Sequence, residues 1–127
     1  MHFMVSFEMS KIKSLTGYIS MLEIYHKEIE IYVTLAGKKP FIEWLEGLDK
    51  HLRCCIKERL DRMVLGNMGE WKATGNGIAE LLLNFGVGYR IYFGWEGKEI
   101  ILSGGDEPGQ ENDIQKAQQY WQDYLMR

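Results

Sequence analysis

From residue 28 to 35 polar and apolar side chains alternate, Glu28-Ile29-Glu30-Ile31-Tyr32-Val33-Thr34-Leu35. Period two predicts a strand with Ile29, Ile31, Val33 and Leu35 on one buried face. Gly37-Lys38-Lys39-Pro40 breaks the alternation, and Pro40 suits the first position of a short helix over residues 41–46 that stops at Gly47. Asp49 can then cap a longer helix, in which Leu52, Ile56, Leu60, Met63 and Val64 recur at spacings of three and four until Gly66-Asn67. Together these predict a helical hairpin.

Beyond Gly69 the texture turns to β. Strands are expected over residues 78–85, 89–95 and 99–103, joined by Gly86-Val87-Gly88 and by a turn at Gly97. Such short connections demand an antiparallel meander. After Gly104-Gly105 and Pro108-Gly109 a final helix is expected over 110–125, with Ile114, Ala117, Gln118, Trp121 and Leu125 on one side. The order β, α, α, meander, α defines an α+β fold, with the opening strand at the sheet edge and the hairpin over one face. Residues 1–20 sustain neither period and read as an extra segment from a start placed upstream of Met21, dispensable for the fold. A rival reading makes residues 3–22 a genuine strand or helix, since Phe3, Val5 and Phe7 alternate. Residues 21–127 then form one domain.

Length agrees, since 127 residues leave no room for a second domain. With 46% hydrophobic and 13% aromatic residues a core can be filled, which excludes wholesale disorder. The net charge of -3 argues against a protein that coats nucleic acid through overall charge. The balance is uneven along the chain: residues 38–92 carry nine Lys and Arg against seven Asp and Glu, and residues 93–127 three against seven. Any basic patch must therefore lie in the middle. Cys54 and Cys55 are adjacent and build no disulfide framework or zinc pattern, and no apolar run approaches a membrane span. The expectation is a cytoplasmic protein with no membrane association.

Alternation also sorts the chemistry. Ala79, Leu81, Leu83 and Phe85 share a face opposite Glu80, Leu82 and Asn84, and the next strand divides Tyr89, Ile91, Phe93 and Trp95 from Arg90, Tyr92 and Gly94. One sheet face thus gathers Glu80, Asn84, Arg90 and Tyr92, groups able to bind a phosphate, orient a hydroxyl and move a proton. The same set also reads as a solvated face with a Glu–Arg cross-strand pair. Arg53, Lys57, Arg59 and Arg62 flank the apolar stripe of the long helix and read either as an RNA track or as solubilising charge. His2, His26 and His51 lack ligand spacing, so no metal is expected. No histidine is expected to activate Cys54 or Cys55.

From residue 40 to 122 the chain carries a longer series. It includes Pro40-Phe41 with Trp44-Leu45, Arg59-Leu60, Gly66-Asn67, Gly69-Glu70-Trp71-Lys72, Gly75-Asn76-Gly77 and Glu80-Leu81. The series continues through Phe85-Gly86-Val87-Gly88-Tyr89-Arg90-Ile91-Tyr92-Phe93, Gly104-Gly105-Asp106, Gln110, Asp113-Ile114 and Ala117. It resembles the phage-derived, HigB-like branch of the RelE/ParE toxin superfamily, the addiction module killer proteins. The resemblance implies a twisted antiparallel sheet on a helical hairpin, with a C-terminal helix. It implies a toxin of a type II toxin-antitoxin pair, cleaving mRNA on the ribosome without metal or cofactor and held by a helix-turn-helix antitoxin. Arg90 matches the family's characteristic catalytic arginine, with Tyr92, Lys72 and Glu80 as supporting members. Two positions depart: Leu82 stands where the family usually has Arg, and Glu107 where it usually has Lys. Both remove positive charge, so the resemblance also allows a toxin fold that binds antitoxin without cleaving, or a ParE-like inhibitor of DNA gyrase.

Overall fold

The structure, a computed structural model, describes residues 28–127. The extra segment 1–20 and the start at Met21 lie outside the described residues. The expected strand over 28–35 contracts to β1 (Ile29–Ile31), because a turn closed by Gly37 N–H on the Thr34 carbonyl takes the rest of that run away. Ile29 and Ile31 are buried as expected. Leu35, assigned to the same face, is 84% exposed on that turn.

Helix α1 (Pro40–Glu46) starts on proline, whose missing N–H costs nothing in a first turn. Helix α2 (Lys50–Val64) starts on Asp49, whose Oδ1 accepts from Leu52 N–H at 2.9 Å. Four strands follow: β2 (Trp71–Gly75), β3 (Ile78–Leu82), β4 (Arg90–Trp95) and β5 (Glu99–Gly105). A short 3-10 turn (Glu107–Gly109) then leads into helix α3 (Gln110–Leu125).

The sheet order is β1-β5-β4-β3-β2. Strands β2 to β5 form the antiparallel meander, but β1 pairs with β5 in parallel, so the sheet is mixed and not wholly antiparallel. The reversal is possible because the long connection through α1 and α2 separates β1 from the other strands. Strand β2 extends the meander beyond the three strands expected.

Both faces of the sheet are covered. On one, Phe41 and Leu45 of α1 with Ile56, Leu60 and Met63 of α2 pack on Leu81, Ile91 and Ile101. On the other, Ala117 and Trp121 of α3 pack on Ile78, Tyr92, Ile100 and Leu102. A glycine lets an indole lie flat against the strands on each side. A Cβ on Gly94 would stand 2.5 Å from the Trp121 ring, and one on Gly104 would collide with Trp44.

The far end of α3 is tied to the β1 edge. Tyr32 Oη donates to Asp123 Oδ2 at 2.5 Å, Arg127 pairs with the same carboxylate, and Arg127 Nη1 donates to the Val33 carbonyl at 2.7 Å. Burial, then the hydrogen bond and charge of Asp123, push the Tyr32 phenol from 10.0 up to about 12. A raised folded value favours the neutral phenol, so its stabilisation is complete below pH 10 and drains away as pH rises toward 12. The melting temperature should therefore fall across that window, and Tyr32→Phe should flatten part of the fall. The Lys98–Glu30 pair, 2.6 Å apart, titrates on the alkaline side as well. It is common to both proteins, so the difference between the two thermal profiles isolates the phenol.

Candidate active site

The ladder builds the polar cluster. Lys72 of β2 stands opposite Glu80 of β3, Glu80 opposite Tyr92 of β4, and Tyr92 opposite Ser103 of β5, a row of four polar residues across four strands. Arg90, two residues before Tyr92 and thus on the same face, lies opposite Leu82. The Glu80 carboxylate is the hub. Its Oε1 is 3.4 Å from Lys72 Nζ, its Oε2 is 3.4 Å from Arg90 Nε, and Gln110 Nε2 lies 3.1 Å from both oxygens. Arg90 Nη1 also donates to the Gly88 carbonyl at 2.8 Å, which anchors the guanidinium to the turn before β4.

Arg90, Tyr92, Lys72 and Glu80 are thus brought together as expected, but the face they share is not open. The Glu80 side chain has no exposure, Arg90 retains 12%, and only Lys72, at 58%, stands largely in solvent. Tyr92 is wholly buried. Helix α3 covers this face because its own apolar stripe needs a surface, and Ile78, Ile100, Leu102 and the Tyr92 ring supply one. Asn84, read onto the same face, falls beyond the end of β3 and is exposed.

Buried beside these charges, Tyr92 Oη and Ser103 Oγ make no hydrogen bond among the described residues. Burial first, then the negative charge of Glu80 and Asp113, hold the Tyr92 phenol well above its ordinary value. It stays protonated at physiological pH, able to donate a proton and unable to act as a phenolate base. Burial, with Asp106 beside it, also raises Asp113.

The two departures noted in the sequence both fall against Arg90. Leu82 is its partner in the ladder, and Glu107 packs at Gly88, where the Arg90 guanidinium also lies. A cation at either position would stand beside Arg90.

The four residues read as an RNA track have different fates. Arg59 leaves the surface to donate to the carbonyls of Leu82, Met68 and Glu70 at 2.8, 3.1 and 3.0 Å, clasping α2 to the open end of the β2–β3 hairpin. Burial, then the charge of Arg62, lowers its pKa from the ordinary arginine value. Arg53 Nη1 donates to the Leu48 carbonyl at 2.6 Å. Lys57 and Arg62 are exposed.

One exclusion made from sequence is corrected: His51 Nε2 lies 3.7 Å from Cys55 Sγ, as a spacing of four on a helix allows. Gln110 is the residue that sequence reasoning left without a role. It begins α3, and no periodicity signals its reach back to Glu80. Among the described residues no helix is long and apolar enough to cross a membrane, and no group of three or more His, Cys, Asp or Glu side chains can hold a metal ion.

Fold and site define an α+β protein whose five-stranded mixed sheet buries a carboxylate beneath a C-terminal helix, with one arginine and one lysine reaching it. Over 93 residues the chain is 39% identical to an uncharacterized protein of Haemophilus influenzae, a match covering 70% of this chain and 89% of that protein. The chain belongs to the same family as that protein. No model of a known protein family matches the chain, and no solved structure matches it.

Proposed function

We propose that this chain is the toxin of a type II toxin-antitoxin pair, of the HigB-like branch of the RelE/ParE superfamily, acting in the cytoplasm on mRNA at the ribosome. The observation that carries the reading is that Arg90, of the Gly-Tyr-Arg segment, and Lys72 each lie 3.4 Å from the Glu80 carboxylate. Transfer of a ribose 2′-hydroxyl onto the adjacent phosphate develops negative charge on the phosphoryl oxygens and moves a proton at each end. Arg90 and Lys72 supply the charge, with Glu80 and Tyr92 as supporting members beneath α3. Its partner is a helix-turn-helix antitoxin.

A second reading is supported by burial. With α3 in place Glu80 and Tyr92 cannot touch a substrate, and Leu82 and Glu107 add no cation to Arg90 and Lys72. The chain then keeps a toxin fold for binding an antitoxin and cleaves feebly or not at all. Losing one preorganised donor to a developing anion costs roughly a hundred- to a thousandfold in rate.

Induced expression with and without the antitoxin, scored for growth arrest and mRNA integrity, separates the readings. Weak arrest with mRNA cleavage is expected, made strong by Leu82→Arg with Glu107→Lys and abolished by Arg90→Ala. Intact mRNA in all three proteins, with antitoxin binding retained, establishes the binding role. Arrest that ignores Arg90→Ala and leaves mRNA whole moves the target to DNA gyrase.

A further inference from the structure

The Glu80 carboxylate and the Arg90 guanidinium are neighbours that do not close on one another. A buried carboxylate beside an arginine ordinarily forks onto it through two parallel hydrogen bonds about 2.7–2.9 Å long. Here Arg90 Nε stands 3.4 Å from Glu80 Oε2 and, though buried, makes no hydrogen bond among the described residues. The carboxylate's hydrogen bonds go elsewhere, since Gln110 Nε2 donates to both of its oxygens at 3.1 Å each. Arg90 is meanwhile held at Nη1 by the Gly88 carbonyl. A neutral amide thus occupies the lone pairs that the cation would otherwise take.

The corner before α3 places that amide. Asp106 Oδ1 accepts from Gly109 N–H at 3.1 Å, and the Asp113 carboxylate accepts from Asp106 N–H. Asp113 also lies against Gly105, where a Cβ would collide with its carboxylate. These contacts fix the reversal from β5 into α3, so that the first residue of the helix, Gln110, reaches Glu80. The series Gly104-Gly105-Asp106, Gln110 and Asp113 therefore frames one contact.

We infer that Gln110 is a positioning residue: by holding both oxygens of Glu80 it keeps the carboxylate from forking onto Arg90, and so leaves the guanidinium's charge for a phosphate of RNA. The use of that charge rests on the reading of Arg90 as the cation that meets the phosphoryl group; the hold on Glu80 does not. Without the amide a small turn of the Glu80 side chain closes the fork, and a bidentate carboxylate competes with phosphate for the same guanidinium. The site then inhibits itself. Because Gln110 belongs to α3 while Glu80 and Arg90 belong to the sheet, the seating of α3 sets the state of the arginine.

The arginine reports this directly by nuclear magnetic resonance of the full chain, with the Arg90 Nε–H signal assigned by its loss in Arg90→Lys. Native and Glu80→Gln proteins should show that proton at nearly the same position, because no hydrogen bond joins it to the carboxylate. Gln110→Met keeps the length of the side chain and its fitness for a helix but has no donor. It should move the proton well downfield as the fork forms. Gln110→Lys, which restores a donor, should bring it back, and so should Glu80→Gln added to Gln110→Met. In the Leu82→Arg, Glu107→Lys background, Gln110→Met should slow mRNA cleavage roughly a hundredfold, with Gln110→Lys restoring it. A native signal far downfield of that in Glu80→Gln overturns the inference, and this comparison stands even if Gln110→Met fails to fold. A folded Gln110→Met protein whose signal stays in place overturns it, as does a shift that survives Glu80→Gln. Signals that move as expected in proteins that never cleave mRNA support the hold on Glu80 and sink the cleavage reading instead.

Discussion

Trp121→Ala should lower the melting temperature by roughly 10–20 °C, the largest effect expected of any single change in α3. The indole is 4% exposed, lies against Gly94 and Gly77, and stacks on Tyr124 with ring planes 6° apart. Deleting a buried aromatic costs about 3–5 kcal/mol, from lost transfer energy and from the cavity left behind. Relaxation cannot refill this cavity cheaply. Its floor is the backbone of Gly94, fixed in the ladder between β3 and β5. The outcome is read by calorimetry, and a drop under a few degrees would mean that α3 contributes little to the fold. In that event the burial of Glu80 and Tyr92 beneath it would be a weak barrier to substrate.

The second large effect concerns the buried charge. Glu80→Ala removes the anion that Lys72, Arg90 and Gln110 all address and leaves Arg90, 12% exposed, without its counter-ion. Breaking a buried ion pair from one side costs about 3–5 kcal/mol, whereas replacing both partners by apolar residues is often neutral. Denaturant unfolding should show Glu80→Leu strongly destabilised and Glu80→Leu with Arg90→Leu restored to within about 1 kcal/mol of the native protein. Restoration would mean that stability is not the reason these charges are here, and the same double variant should then be inert when expressed. If the double variant remains as unstable as the single one, the cluster is a structural fastening.

Much of this arrangement was legible in residue order. The glycine turns and period-two runs of the meander located β3, β4 and β5, and the same alternation placed Glu80, Arg90 and Tyr92 on one face. Alternation states which residues share a face and is silent about what lies above it. That is why the face was read as open. A signal was nevertheless present in Glu99-Ile100-Ile101-Leu102, where consecutive apolar residues mark a strand buried on both sides. The stripe Ile114, Ala117, Trp121 needed a surface, and with α1 and α2 on one face only the other remained.

Strand β2 was missed for the opposite reason. Trp71-Lys72-Ala73-Thr74-Gly75 alternates over four residues only and carries a single large apolar side chain, because an exposed edge buries little, and its place comes from pairing with β3. The reach of Arg59 to three carbonyls was hidden too. A flanking arginine on a helix reads the same whether it faces solvent or a neighbouring strand.

The parallel pairing of β1 with β5 also sets a timetable. Ile29 must wait for Glu99, and Tyr32 for Asp123, partners about 70 and 91 residues further on. At about 5–20 residues per second, synthesis takes roughly 4–14 s to deliver β5 after β1 has been made. Throughout that interval Ile29 and Ile31 have no strand to join among the described residues, while α1, α2 and the β2–β3 pair can already form from neighbouring residues. Among the described residues the newborn chain therefore assembles from its middle outward, and β1 is among the last pieces to settle. A ribosome that stalls before β5 carries a nascent chain with a bare apolar strand, a natural substrate for chaperones.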